Sequence, residues 1–287
     1  MGIAKLDQYG LLQVTGEDAR AFLHAQLTND IEHLEPGRAR YAGWCSAKGR
    51  LLATFLVVPF PEGYLLQLAR DLAPAVARRL AMFVLRAKVK LTDATEHWNQ
   101  YGAWGDSAVT GLGLAVPGGD LETTATKDSI AIRVEPGRFL IFSTTAKKPQ
   151  TSTDAAAEDW ALAEIRAGRP LVVQATQDRF VPQMVNLELA GGVDFRKGCY
   201  PGQEIVARAQ YRGALKRRMY RLRGGPLQPG QDLYSDGEPG EASGTVVNAA
   251  GGEALAVLQV SAIESRSPIR DQPEGALLEP LALPYAP

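Results

Sequence analysis

The longest apolar run in the chain, Leu51–Phe60 (LLATFLVVPF), is interrupted by Thr54 and closed by a Pro61-Glu62-Gly63 turn. A helix needs about 20 consecutive apolar residues to span a bilayer, so this run falls far short. It has the length and the β-branched, aromatic content of a buried strand. The other apolar runs are shorter still, divided by 29 glycines and 18 prolines. The pattern is that of short strands and helices in a globular protein.

With 287 residues the chain can build two or three small domains, each with its own core. Its formal net charge of −1 argues against direct nucleic-acid binding by the molecule as a whole. The opening MGIAKLDQYG holds a lysine and an aspartate and has no apolar core of a secretion signal, and Leu6 breaks a myristoylation pattern. The expected location is cytoplasmic, with no membrane attachment. Two cysteines, Cys45 and Cys199, form no disulfide framework and cannot supply the four thiolates of a usual iron–sulfur cluster. His24, His33 and His97 stand at no metal-ligand spacing, so no metal centre is expected.

Pattern reading divides the chain into three parts. Residues 1–95 read as an α+β domain. It has a strand at Leu11–Val14 and a capping-box-like Thr15-Gly16-Glu17-Asp18 leading into a helix through Phe22, Leu23 and Leu27. Strands follow at Arg40–Cys45, Leu51–Val58 and Tyr64–Ala69. A second helix, capped by Asp71, carries Leu72, Val76, Leu80 and Val84 on one face. Residues 96–213 form a second α+β domain. Strands are expected at Trp98–Gly105, Ile130–Glu135 and Phe139–Ser143, then a polar loop at Lys147–Thr153 and a helix over Asp154–Arg166, ended by Gly168 and Pro170. Residues 214–287, rich in glycine and short apolar runs, read as a small β-barrel or sandwich, the barrel being the form expected for this domain. Arg196–Arg223 carries nine Lys or Arg against the single acid Glu204, whereas Gly224–Glu264 carries six acids and no Lys or Arg. The basic belt reads either as a solvated face or as an electropositive rim for an anion.

The densest chemistry lies at Lys197-Gly198-Cys199-Tyr200-Pro201-Gly202-Gln203-Glu204. Glycines permit a tight bend and proline stiffens it. A lysine two residues from a cysteine favours the thiolate, and a following helix start would add its dipole. A lone cysteine is as readily a small buried hydrophobe. Gly111-Leu112-Gly113 lacks the third glycine of a dinucleotide fingerprint, and the Gly198 region lacks the G-K-S/T of a phosphate loop.

This string resembles the signature of the YgfZ family. So do the flanking Pro182-Gln183, Asn186-Leu187, Val206-Ala207-Arg208, Tyr211-Arg212-Gly213 and Lys216-Arg217. Upstream, Gln26-Leu27-Thr28-Asn29-Asp30, Trp44-Cys45-x-x-Lys48-Gly49-Arg50 and Ala167-Gly168-x-Pro170 are similar to other family blocks. The resemblance spans roughly residues 10 to 220. It implies the fold of the glycine cleavage T-protein: a multi-domain α+β ring around a central channel, with a C-terminal all-β barrel. It also implies tetrahydrofolate, or a one-carbon derivative, as ligand. The implied role is accessory, in assembly or repair of iron–sulfur proteins that include radical tRNA-modifying enzymes. Cys199 is its functional cysteine, with Lys197 beside it.

For the folate, Trp44 and Tyr200 are candidates for stacking, and Gln183 or Glu188 for pairing the pterin. Lys197, Lys48 and Arg50 could meet the glutamate carboxylates, with Gln203 and Glu204 completing the motif. T-proteins carry an acidic pair where this chain has Ala53 and Thr54, and neither residue can act as a general base. A folate-dependent aminomethyl-type transferase therefore remains the alternative reading, an RNA-binding basic belt the third, and whether the chain is an enzyme stays open. A ring of domains would function as a monomer.

Overall fold

The computed structural model describes residues 2–144, 156–213, 215–236 and 240–287, so the expected 147–153 loop lies outside the described residues. In chain order the elements begin with β1 (Gly2–Lys5), β2 (Tyr9–Thr15), α1 (Ala19–Gln26), β3 (Arg40–Cys45), β4 (Leu51–Phe60), β5 (Gly63–Ala69), α2 (Ala73–Ala81) and β6 (Lys90–Asp93). Next come β7 (Asn99–Trp104), α3 (Ser107–Thr110), β8 (Thr123–Ala125), β9 (Ser129–Glu135), β10 (Arg138–Ser143) and α4 (Ala157–Arg166). A long irregular segment leads to α5 (Gln203–Tyr211). The chain ends with β11 (Arg217–Arg223), β12 (Asp232–Ser235), β13 (Ala242–Ala250), β14 (Glu253–Gln259), α6 (Val260–Glu264), β15 (Ile269–Arg270) and β16 (Leu277–Leu281).

The strands form two five-stranded sheets, β3-β4-β5-β2-β6 and β1-β7-β10-β9-β8, and a closed barrel, β11-β14-β13-β12-β15-β16. The mixed α+β body with a C-terminal barrel is the architecture the sequence implied. The first strand, β1, joins the second sheet by pairing with β7.

The unbroken apolar character of β4 follows from its position. Side chains alternate across a strand, and both faces of β4 are covered. Phe55 and Val57 enter a core with α1, α2, Ile165, Phe180, Leu187, Tyr200 and the barrel residues Val247 and Val257. Leu56 and Val58 enter a second core against Ile132, Leu140 and Phe142 of the other sheet and Trp160 of α4. The indole of Trp160 packs closely against Gly102 of β7, where a Cβ would stand 2.1 Å from its ring. The irregular 170–200 segment is tied to both neighbours by side chains. Asn248 of β13 donates to Leu171 O and accepts from Leu171 N–H, both at 2.8 Å. The Thr54 hydroxyl accepts from Val172 N–H at 3.0 Å.

The expected capping-box acid Asp18 and the expected cap Asp71 take other partners. The Asp18 side chain makes no capping bond to α1 and accepts instead from Lys88 N–H at 2.7 Å. Asp71 accepts from Gln174 N–H at 2.9 Å, so it braces the irregular segment, while α2 starts at Ala73-Pro74 with Leu72 at its N-cap.

Candidate functional site

Two distinct features stand out: the Cys199 bend and a cavity where the three sheets meet.

At the bend, the Ser46–Gly49 turn and the Pro201–Gly202 turn interlock backbone to backbone. Gly202 has φ +79° and a Cβ there would lie 2.4 Å from Ser46 O and 2.6 Å from Gly49 Cα. Gly49, at φ +68°, faces Ile205 of α5 in return. Glycine is required on both sides, which explains why the Lys48-Gly49-Arg50 and Pro201-Gly202 blocks belong together. Gly202 is the N-cap of α5, and Glu204 lies in its first turn, where an acid suits the helix dipole.

Lys197 is buried, and its ammonium donates to His24 O and to Leu27 O, the latter at 2.8 Å. It thereby caps the C-terminal carbonyls of α1, and it rests 4.8 Å from the centroid of the Tyr200 ring. Burial pulls its pKa down to about 8, against the opposing pull of Asp30, Asp194 and Cys199. Lys197 thus anchors the bend to α1. Tyr200 is buried beneath it, whereas Cys199 is exposed as a free thiol. Cys45 is buried, and burial, with Asp178 adding, pushes its thiol up to about 12.

The cavity encloses about 260 Å³. Its wall takes Tyr41, Thr54 and Gln67 from the first sheet, Leu140 from the second, Trp160 and Glu164 from α4, Arg169 from the loop after it, and Asn248 from the barrel. Glu164 Oε1 accepts from Arg138 Nη1 at 2.6 Å and Arg169 Nη1 at 2.9 Å. Burial opposes ionisation of Glu164, but Arg169 and Arg138 outweigh it and hold the carboxyl below its usual range. The Arg169 guanidinium lies 5.8 Å over the Tyr41 ring. Burial lifts the Tyr41 phenol to about 12, so it stays protonated at neutral pH. Trp160 has Arg138 at 4.6 Å over its ring and packs against Gly102.

The residues singled out in the sequence fall largely outside this wall. None of Cys199, Lys197, Trp44, Lys48, Arg50, Gln183, Glu188, Tyr200, Gln203 and Glu204 lines the cavity. Trp44 is 1% exposed, closed over by Phe83 and Arg79, which leaves it a core residue. Gln183 donates to Val206 O at 2.7 Å and Glu188 pairs with Arg218, tying α5 and β11 to the irregular segment. Lys48 and Arg50 are exposed on the turn, and Arg50 donates to the carbonyls of Asp178 and Arg179 at 3.3 Å. Tyr41, Glu164 and Arg169 were the residues sequence reading passed over. One signal was present: Glu164 shares a helix stripe with Trp160 and Ile165, an acid placed among core positions.

Two α+β layers and a barrel closing on one cavity define a T-protein-like fold. Residues 1–127 match the GCVT N-terminal domain family. The whole chain superposes on the crystal structure of glycine cleavage system aminomethyltransferase T from Bartonella henselae with a TM-score of 0.78. That match covers 99% of this chain and 85% of the other at 16% identity, a likeness of fold. Among curated sequences, the chain is 31% identical over 306 residues to the tRNA-modifying protein YgfZ of Sodalis glossinidius, covering 99% of this chain and 93% of that one. It is 32% identical to the YgfZ of Photorhabdus laumondii, covering 86% and 79%, and 30% identical to that of Vibrio vulnificus strain CMCP6, covering 78% and 70%. The chain belongs to the YgfZ family.

Proposed function

We propose that this chain binds a reduced folate in the central cavity and acts, in the cytoplasm and as a monomer, as an accessory factor for iron–sulfur proteins, radical tRNA-modifying enzymes among them. The observation that carries the folate reading is the Tyr41–Arg169–Glu164 constellation on the wall of a cavity of about 260 Å³. That volume is near the lower edge of small-molecule pockets, roughly 300–1,000 Å³. It suits a flat bicyclic head with a tail running out. The pterin carries N–H and amino donors on one edge, which a fixed carboxylate such as Glu164 would accept. The Tyr41 ring would take a pterin face. A bound tetrahydrofolate supplies one-carbon or redox chemistry at its own nitrogen atoms; the protein groups named here bind and orient it.

The transferase alternative is weaker. Ala53 and Thr54 occupy the place of the T-protein acidic pair, and the Thr54 hydroxyl already accepts from Val172 N–H. Glu164, held ionised by two guanidiniums, is a poor base. The thiol of Cys199, exposed and away from the cavity wall, is assigned to contact with client proteins rather than to the folate.

The test is complementation of a bacterial strain lacking its own YgfZ. Cys199→Ala and Tyr41→Ala should each fail to restore activity of iron–sulfur clients while accumulating as folded protein. Full rescue by Cys199→Ala would remove the thiol from the account, and full rescue by Tyr41→Ala would remove the cavity.

A further inference from the structure

Immediately after α2 the chain makes a series of tight turns, with Met82 N–H bonded to Arg79 O, Phe83 N–H to Leu80 O, Val84 N–H to Ala81 O and Ala87 N–H to Val84 O. This compact knob presents three large apolar side chains to solvent: Met82 is 66% exposed, Phe83 42% and Leu85 89%. Leu85 also has φ +46°, a left-handed conformation that a leucine adopts only against strain. An exposed leucine in a strained conformation helps neither the core nor solubility, so its presence here points to a use outside the folded chain.

Cations surround the knob. Arg78, Arg79, Arg86, Lys88 and Lys90 are all exposed. Against them stand Glu17, which pairs with Lys88 at 2.7 Å, and Asp18, whose carboxylate is engaged by Lys88 N–H. The patch is therefore an apolar projection inside a positive rim, on a chain whose net charge is −1. Beneath the knob, Phe83 packs edge-on against buried Trp44 at 6.3 Å.

We infer that Met82, Phe83 and Leu85 form a docking knob for a partner protein whose surface offers an apolar pocket rimmed by acidic side chains. Two features favour a protein over a lipid surface. The projection is held rigid by backbone bonds, which lowers the ordering cost of binding into a shaped pocket. Phe83 is braced against Trp44 and half buried, so it cannot swing down into an acyl layer. The rim arginines would steer an acidic partner to the knob. This inference is independent of the folate reading.

The test places a photo-crosslinking amino acid at Leu85, and at Lys127 as control, in bacterial cells complemented by this chain. The captured protein is identified, purified and titrated against the whole chain. The wild type should bind it with salt-sensitive affinity, and Leu85→Asp should weaken binding roughly tenfold or more. Leu85→Gly, which relieves the positive φ, should melt higher than wild type yet bind as weakly as Leu85→Asp. The inference is overturned if position 85 captures no more protein than position 127, or if both Leu85 variants bind the partner as wild type does. It is equally overturned if the ligand of the knob proves to be phosphatidylglycerol-containing vesicles, RNA or a second copy of this chain.

Discussion

Gly202→Ala is the sharpest perturbation of the joint between the first domain and the Cys199 bend. A non-glycine residue at φ +79° carries roughly 1–2 kcal/mol of backbone strain. The new Cβ would also stand 2.4 Å from Ser46 O and 2.7 Å from Gly49 N, main-chain atoms that no rotamer change can move. Overpacking of this kind costs about 1–3 kcal/mol more. The sum, roughly 2–5 kcal/mol, corresponds to a melting temperature lower by about 5–15 °C in a chain of this size. Gly191→Ala is the matched control, because Gly191 has φ +74° and no atom within 4 Å of its would-be Cβ. It should lose the strain component alone. Calorimetric melts of the two variants give the comparison. If Gly202→Ala costs no more than Gly191→Ala, the two turns do not interlock as described and the coupling of the blocks around Gly49 and Gly202 is wrong.

Three further outcomes follow from the site. Arg169→Leu removes one of the two guanidiniums on half-buried Glu164, leaving Arg138 in place, and should cost about 2 kcal/mol, read by urea denaturation. Lys197 has a folded pKa lowered to about 8 from 10.5, so between those pH values the unfolded chain binds the extra proton. The stability of wild type relative to Lys197→Met should therefore rise as pH increases from 8 to 10.5; a fall over that window would contradict the burial assigned to the ammonium. Cys199→Ala, at an exposed position, should leave the unfolding free energy within about 0.5 kcal/mol of wild type in urea denaturation, while rescue in the strain lacking YgfZ is lost.

What the sequence made legible tracks how much each element depends on its own residues. β4 could be read because both its faces are buried, and α4 because its apolar stripe and terminal Gly168-x-Pro170 are local. The strands missed by pattern reading in the two open sheets, β1, β6 and β8, are all short edge strands with little periodicity of their own. Asp18 looks like a capping-box acid and Asp71 like a helix cap in one dimension, but they accept from backbone N–H groups 70 and 103 residues away. The bend could be read for the same reason as α4: its glycines, proline and lysine are contiguous. The cavity could not. Tyr41, Glu164 and Arg169 converge from separate elements, and each alone resembles an ordinary surface or core residue. Trp44, chosen for its ring and its neighbours in sequence, lost its role once Phe83 and Arg79 closed over it.

The folate claim is tested most directly by calorimetric titration of tetrahydrofolate into wild type, Tyr41→Ala and Cys199→Ala. A single site is expected, weakened about tenfold or more by Tyr41→Ala, equivalent to roughly 1.4 kcal/mol, and unchanged by Cys199→Ala. Absence of binding to the wild type, or equal affinity for wild type and Tyr41→Ala, would contradict the placement of the folate in the cavity where the two sheets and the barrel meet.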